Sequence, residues 1–351
     1  GVIHSGIYYR PDSHKARFCV EGVQKLLQFC DENEIEYEQC GKVIVATHES
    51  ELGRLDDLHQ RGTTNGVQGL EMIGPERLRE IEPHVAGIRA LWAPSTGIVD
   101  YRKVASAYAV HFQEDGGNIF TGTEVHGIKR SAEGLNLETN RGDIKAKRLI
   151  NCAGLYADRV AEMMGESIDV RIIPFRGEYF TLRPESHHLV NGLIYPVPDP
   201  RFPFLGVHFT RNIHGQVEAG PNAVLALKRE GYRKTDVNLA EAWGTLSYPG
   251  FWKMSMRFWK IGLGEMYRSY NKGVFVRDLQ KLVPEIRESD LTSGGAGVRA
   301  QAVARSGALL DDFSILQGRE AVHLLNAPSP GATSSLAIGE YICDLAAEAF
   351  G

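Results

Sequence analysis

The stretch Asn326-Ala-Pro-Ser-Pro-Gly-Ala-Thr-Ser-Ser335 constrains this chain more than any other. It follows the apolar run Ala321-Val-His-Leu-Leu325 and precedes an apolar run from Leu336 to Phe350. A strand, a Gly/Pro loop and a helix opened by Thr333 and Ser334 are predicted in that order. The first turn of such a helix leaves backbone N–H groups without partners and carries the positive end of the helix dipole. It therefore draws negative charge or an electron-rich carbonyl. Near the end of an α/β chain, this predicts a cofactor pocket closed by Gly331, Ala332, Thr333 and Ser334. Ordinary Ser/Thr capping of an αβ loop would give the same residues, so both readings stay open at this point.

Composition narrows the classes. A chain of 351 residues, 43% apolar and 24% charged, can bury a large core in two domains or one elaborate one. A net charge of −5 argues against a nucleic-acid partner. No apolar run reaches the roughly 18 residues of a membrane span. Cys19, Cys30, Cys40, Cys152 and Cys343 are odd in number and widely spaced, with no C-x-x-C. They read as reduced thiols in a cytosolic-type compartment, with no disulfide framework and no metal site.

Periodicity places the elements. Lys15 to Glu34 has helical apolar spacing, and Gly41 to Thr47 is a β-branched run that reads as a strand. Glu49 to Arg61 reads as a helix ended by Gly62, and Ile73 to Pro83 as a short helix with Pro75 in its first turn. Tyr101 to Asp115 is a further helix, stopped by Gly116-Gly117. Strands are expected over Asn118–Val125, Leu135–Thr139 and Ile144–Lys147. Arg148-Leu-Ile-Asn-Cys-Ala-Gly154 reads as a buried strand ending in small residues, with a helix from Leu155 to Met164 behind it. From about residue 167 the pattern changes to strands separated by Pro/Gly turns: Val170–Leu182, Gly192–Val197, Phe204–Thr210 and Gln216–Ala219. Arg233 to Tyr270 is mostly helical. The fold class is α/β (α+β overall). A discontinuous, Rossmann-like dinucleotide domain (1–40, 96–166 and 293–351) would hold an inserted antiparallel-sheet domain (41–95 and 167–292). No G-x-G-x-x-G joins a strand to a helix; the nearest cluster, Gly294-Gly-Ala-Gly297, lacks the third glycine at the required spacing.

In order along the chain, seven stretches resemble the L-2-hydroxyglutarate dehydrogenase/oxidase family. They are Gly1-Val-Ile-His-Ser-Gly-Ile-Tyr-Tyr9, Asn151-Cys-Ala-Gly-Leu-Tyr-Ala-Asp158, Pro174-Phe-Arg-Gly-Glu-Tyr179, Tyr195-Pro-Val-Pro-Asp-Pro200, His208-Phe-Thr-Arg211, Gly220-Pro-Asn-Ala223 and Asn326 to Ser335. The family belongs to the FAD-dependent oxidoreductases that include D-amino-acid oxidases. The resemblance implies FAD as cofactor and oxidation of L-2-hydroxyglutarate to 2-oxoglutarate, with electrons passed to a quinone or to oxygen. The family's N-terminal βαβ unit, with its glycine turn for the FAD pyrophosphate, has no counterpart before Gly1. An amine or amino-acid oxidase of the same superfamily, and a cofactor-free fragment without catalysis, remain the alternatives.

The implied roles can be weighed as chemistry. Hydride transfer from a carbinol carbon needs a base for the hydroxyl proton, and histidine is the side chain most easily tuned near neutrality. The candidates are His208, on an apolar strand, and His4, in the loop at the flavin. A dicarboxylate needs fixed cations, and arginine's fork binds a carboxylate bidentately. Arg176, Arg211 and Arg299 are the expected substrate-binding residues, the last in a loop, with Tyr195 as a hydroxyl donor and Tyr179 as a further one. The resemblance places Gly1, Val2, His4, Ser5, Gly6, Val125, Cys152, Ala153, Gly154, Gly331, Ala332, Thr333 and Ser334 at the cofactor. Buried at a strand end, Cys152 reads as an inert thiol.

Tyr248 to Leu263 is aromatic and basic. On a helix, Phe251, Trp252, Ser255, Phe258 and Trp259 would share one side, with Lys253, Arg257 and Lys260 off it. This fits a helix lying in the surface of an anionic membrane, and equally a helix packed on the core with solvated lysines. The location expected is cytoplasmic, with peripheral contact on the inner face of the cell membrane.

Overall fold

A computed structural model describes residues 1–200 and 206–351. Its centre is a large mixed sheet, nine-stranded among the described residues. From one edge the strands run Val224–Leu225, Val170–Leu182, Val217–Gly220, His208–Arg211, Leu193–Pro196, Lys42–Ala46, Arg89–Ala93 and Glu71–Ile73. The ninth, Leu291–Ala304, pairs with Val170–Leu182 along nearly its whole length. The sheet is antiparallel as expected except at one place: Leu193–Pro196 runs parallel to Lys42–Ala46, Leu193 opposite Lys42. That pair joins two segments far apart in sequence, which no hairpin could connect.

Two apolar clusters cover this sheet. One gathers Val43, Val45, Ile194, Phe209 and Val217 with Phe275, Val276 and Leu279 of helix Lys272–Leu279. The other gathers Ile44, Ala46, Leu91 and Tyr195 with Ile7 and with Leu55 and Leu58 of helix Leu52–Thr64. Residues of strand Lys42–Ala46 are buried on both faces, so the strand reads as an unbroken apolar run. Gly62 does not stop its helix, which continues to Thr64. A Cβ there would lie 2.5 Å from Leu70 Cδ1, so glycine serves close packing.

The remaining strands lie in smaller sheets. Leu149–Asn151 pairs in parallel with Ala321–Asn326, which also pairs with Ser314–Gln317. Helix Ser335–Phe350 packs Ala337, Ile338 and Ile342 against Val322 and against Phe18 of helix His14–Glu32. The latter helix is capped by Ser13, whose hydroxyl accepts from Ala16 N. Its first free N–H groups, those of His14 and Lys15, donate to Asp312 at 3.0 and 2.9 Å. A carboxylate at a helix N-terminus thus ties the first and last thirds of the chain together.

Several expectations need correction. Residues 118–124 form no strand; the β-structure starts at Val125, and Ile119 and Phe120 stay exposed. The segment 297–301 is not a loop but the interior of strand Leu291–Ala304. That strand keeps the chain in the large sheet past the boundary drawn at residue 293. The Gly294–Gly297 cluster lies in the same strand, where a Cβ on Gly294 would meet the Tyr179 carbonyl at 2.7 Å. The beginning of the run Phe204–Thr210 falls outside the described residues, and its remainder is strand His208–Arg211.

Candidate functional site

Two adjoining regions make the site. The first is an open cavity of about 530 Å³ between the N-terminal loop and the start of the last helix. Val2, His4, Tyr101, Cys152 and the loop Ala327–Thr333 line it, together with Ser335 and Gly339 of the helix. The loop is fastened through Thr333, whose hydroxyl accepts from His4 N at 3.1 Å and meets the Tyr101 hydroxyl at 2.9 Å. Gly331, Ser334 and Ser335 N–H groups bond within the loop. Among the described residues the Ala332 and Thr333 N–H groups have no backbone acceptor, and they sit at the positive end of helix Ser335–Phe350. Gly22 lets helix His14–Glu32 come against this end, since a Cβ there would fall 2.7 Å from Ser334 Cα.

The cavity agrees with the chemistry of a flavin. Apolar and backbone groups dominate its wall, the Ala332 and Thr333 N–H groups lie at one end, and His4 Nδ1 is buried without a hydrogen-bond partner among the described residues. An orphaned buried nitrogen is costly, and a bound polar group removes that cost.

The second region lies behind His4, where four elements of the large sheet converge. Tyr195 and His208 stack with ring centroids 3.9 Å apart. His208 Nδ1 lies 2.9 Å from the Gly206 carbonyl, which fixes the proton on Nδ1 and leaves Nε2 as the acceptor. Burial, reinforced by Arg299 and Lys42 and partly offset by Gly206, pushes His208 down to about 4. Burial, with Lys42 and His208 next, pushes His4 down to about 3. Both imidazoles are therefore neutral at pH 7. Burial also lowers the Arg299 guanidinium and raises the Tyr195 hydroxyl, and each feels the other. Tyr179 shares this surroundings, its hydroxyl raised by burial and lowered by Arg299.

Lys42 and Tyr8, unremarked in the sequence, belong to this region as well. Lys42 is 1% exposed, and its ammonium lies 4.5 Å from the Tyr8 ring centroid and 5.0 Å from that of Tyr195. The Tyr8 hydroxyl is buried with no partner among the described residues. Arg61 donates to the Tyr8 carbonyl, and Asn65 to those of Gly6 and Tyr9, holding this loop in place. A lysine inside an otherwise apolar strand is the signal that could have found the site, because a charged side chain in such a run is rare without a purpose.

Other expected site residues lie elsewhere. Arg299 is opposite Phe175 across the strand pair, so Arg176, one residue further, points to the other face. There its guanidinium is held by Glu178 at 3.0 Å and by the Arg233 carbonyl at 3.1 Å. Arg211 pairs with Glu38 at the far end of its strand. Neither joins the His208 cluster. Of the cofactor set, Val2, His4, Cys152, Gly331, Ala332 and Thr333 line the cavity. Gly1 binds the Val99 carbonyl at the strand edge, Ser5 meets Thr96, and Gly6 turns the loop with a φ of 104°. Val125 starts a separate hairpin paired with Thr139, and Ala153 and Gly154 form the turn behind Cys152. Ser334 is fully buried under the loop.

Residues 1–345 match the family described as DAO, FAD dependent oxidoreductase. The chain belongs to that family. It is 53% identical to the L-2-hydroxyglutarate dehydrogenase of Indibacter alkaliphilus, over all of this chain and 88% of that one. It is 47% identical to the Escherichia coli L-2-hydroxyglutarate dehydrogenase, over 97% of this chain and 81% of that one. The human mitochondrial L-2-hydroxyglutarate dehydrogenase is 46% identical, over 98% of this chain and 78% of that one. These identities also make it a member of the L-2-hydroxyglutarate dehydrogenase family. Among solved structures, an FAD-bound L-α-glycerophosphate oxidase from Mycoplasma pneumoniae shares the fold. Its TM-score is 0.78 at 22% identity, over 98% of this chain and 83% of that one. The protein is an FAD-dependent oxidoreductase.

Proposed function

We propose that this protein oxidises L-2-hydroxyglutarate to 2-oxoglutarate in the pocket behind His4. The observation that carries the reading is the meeting of two cations, the buried Lys42 and the partly buried Arg299, around a neutral histidine whose Nδ1 is committed to the Gly206 carbonyl. Relatives named for this reaction, 45–53% identical, support the substrate.

When bound, FAD supplies the two-electron acceptor for the carbinol hydrogen. Val2, His4, Cys152 and the loop Ala327–Thr333 would hold it. The free N–H groups of Ala332 and Thr333 stabilise negative charge at that end of the cavity. Arg299 binds a substrate carboxylate. His208 Nε2 accepts the hydroxyl proton, while the Gly206 carbonyl holds the ring in the tautomer that makes this possible. Tyr195, stacked on His208, keeps water from the imidazole. His4 separates the two regions and orients the cofactor side.

The electron acceptor in this proposal is a quinone in an anionic membrane. Helix Pro249–Tyr270 exposes Trp252, Met256, Trp259, Leu263, Met266 and Tyr270 at every third or fourth residue, each between 53% and 75% exposed. The aromatic cluster drawn from sequence is split: Phe251 and Met254 are buried and Phe258 packs on them, while Trp252 and Trp259 face out. Lys253, Arg257 and Lys260 lie beside this outward stripe, which crosses a kink at Phe258, and the pattern is that of a segment that settles in a lipid headgroup layer. No helix of the described residues is long and apolar enough to cross a membrane.

The test is a substrate panel on the FAD-loaded enzyme, followed by anaerobic bleaching of the flavin. L-2-hydroxyglutarate should bleach it rapidly and its D-enantiomer should not. Bleaching by glycine or proline, with none by L-2-hydroxyglutarate, would move the enzyme to the amine oxidases.

A further inference from the structure

We propose that Lys42 is the second carboxylate-binding cation of the substrate site, so that Lys42 and Arg299 each hold one end of a dicarboxylate. The inference rests on the reading of the site as a 2-hydroxy-acid oxidase pocket and names what sets its preference for a dianion.

Lys42 opens strand Lys42–Ala46 at the one parallel junction of the sheet, between Leu193 and Ala93. Full burial of an ammonium in an apolar strand is expensive, and normally a carboxylate offsets it. None does so here: Lys42 has no ion pair or hydrogen-bond acceptor among the described residues, and Lys15 is the one other lysine buried among them. Lys15 shows the contrast, buried to a similar degree but joined to Asp311 at 2.9 Å. The Lys42 ammonium instead lies over the faces of Tyr8 and Tyr195. Such contacts contribute only about 1–2 kcal/mol each, less than desolvation costs. The cation is thus under-compensated in the protein alone, and an anion entering the pocket would complete its shell.

Position agrees. Tyr195 is the common neighbour: Lys42 lies over its ring, His208 stacks on it, and Arg299 acts on its hydroxyl. The base is thereby placed among two cations held by different strands, which suits a substrate with its carbinol between two carboxylates. Burial lowers the free ammonium to about 7, with the Cys19 thiol opposing slightly. The groups around it are Tyr8 from the N-terminal loop, Cys19 from helix His14–Glu32, Tyr195 and His208 from the sheet, and His4 from the cavity edge, with Arg299 reached through His208. None is a carboxylate. A bound carboxylate raises the Lys42 pKa above its free value, so binding is strongest below about 7 and weakens as pH rises through it.

The experiment uses the FAD-loaded enzyme and two probes, L-2-hydroxyglutarate for turnover and glutarate, an unreactive dicarboxylate, for binding followed by the flavin spectrum. Lys42→Met keeps the stem and removes the charge. It should raise KM for L-2-hydroxyglutarate and Kd for glutarate by about 30-fold, the scale of one charged hydrogen bond, with kcat within about fivefold. Lys42→Arg should recover part of the loss. In the wild type, glutarate Kd should rise about tenfold per pH unit above 7, and that slope should be absent in Lys42→Met. Because the wild-type slope needs no mutant, a variant that fails to fold leaves the test intact. A flat wild-type profile, or Lys42→Met with unchanged KM and Kd, overturns the assignment. If the wild type neither oxidises L-2-hydroxyglutarate nor binds glutarate, the reading of the pocket itself fails.

Discussion

Replacing the buried Arg229 by methionine should strongly destabilise this protein, because of what it leaves behind. Arg229 and Asp158 are 4% and 1% exposed and form a bidentate pair at 2.6 and 2.8 Å. Asp158 also accepts from Arg159 N at 2.9 Å and Ile172 N at 3.0 Å, and Arg229 donates to the Leu155 carbonyl. The pair therefore joins helix Ala157–Met163 to strand Val170–Leu182 and to the segment after strand Val224–Leu225 of the large sheet. Arg229→Met strands a buried carboxylate with only two backbone donors, at a cost of about 3–5 kcal/mol. At an unfolding entropy near 2.1 cal/mol/K per residue, 351 residues give about 0.74 kcal/mol/K, so about 4 kcal/mol lowers Tm by about 5 °C. Calorimetry checks this, and a double-mutant cycle with Asp158→Leu checks the mechanism. With both charges gone, no ion is left buried, and the double variant should be more stable than Arg229→Met by at least about 1 kcal/mol. Single and double losses that simply add would refute the argument, because the penalty would then come from lost packing.

Four other outcomes follow from the same geometry. His208→Gln should slow flavin reduction in stopped flow by about 10²-fold or more, the scale of a lost general base. Burial holds His208 at about 4 and His4 at about 3, below an unfolded value near 6.5, so both contribute stability that is present above 6.5 and lost as pH falls through those values; Tm between pH 7 and 4 should fall less steeply in His208→Gln than in the wild type. Arg299→Met should raise KM by about 10²-fold with the flavin spectrum unchanged, whereas Arg176→Met, which breaks the Glu178 pair, should lower Tm and leave KM within a few-fold. Replacing Trp252, Trp259 and Leu263 by serine should abolish sedimentation with anionic vesicles while kcat with a soluble dye acceptor stays unchanged; equal sedimentation of this variant and the wild type would remove the lipid-surface reading.

Much of this was legible in the chain because it depends on short-range patterns. The strand, Gly/Pro loop and helix from Ala321 to Phe350 formed where spacing placed them, since apolar periodicity and turn chemistry act within a few residues. The strand that carries His208 was legible too, from its short apolar run. What could not be read is which way a side chain points once strands pair. Arg176 and Arg299 look equivalent as sequence, yet the register Phe175↔Arg299 sends one to the pocket and the other to Glu178. Trp252 and Phe251 are neighbours, and only the strands beneath the helix decide that the phenylalanine is buried.

The sequence by itself determined the family, the cofactor and the order of the elements, because those reside in motifs and local periodicity. The tertiary structure alone decided the electrostatics of the pocket. Lys42 is a polar interruption in Gly41 to Thr47 until the parallel pairing with Leu193–Pro196 seals it beneath Tyr8 and Tyr195. Charge acquires its cost from the absence of water, and water is excluded only when segments distant along the chain close over the group.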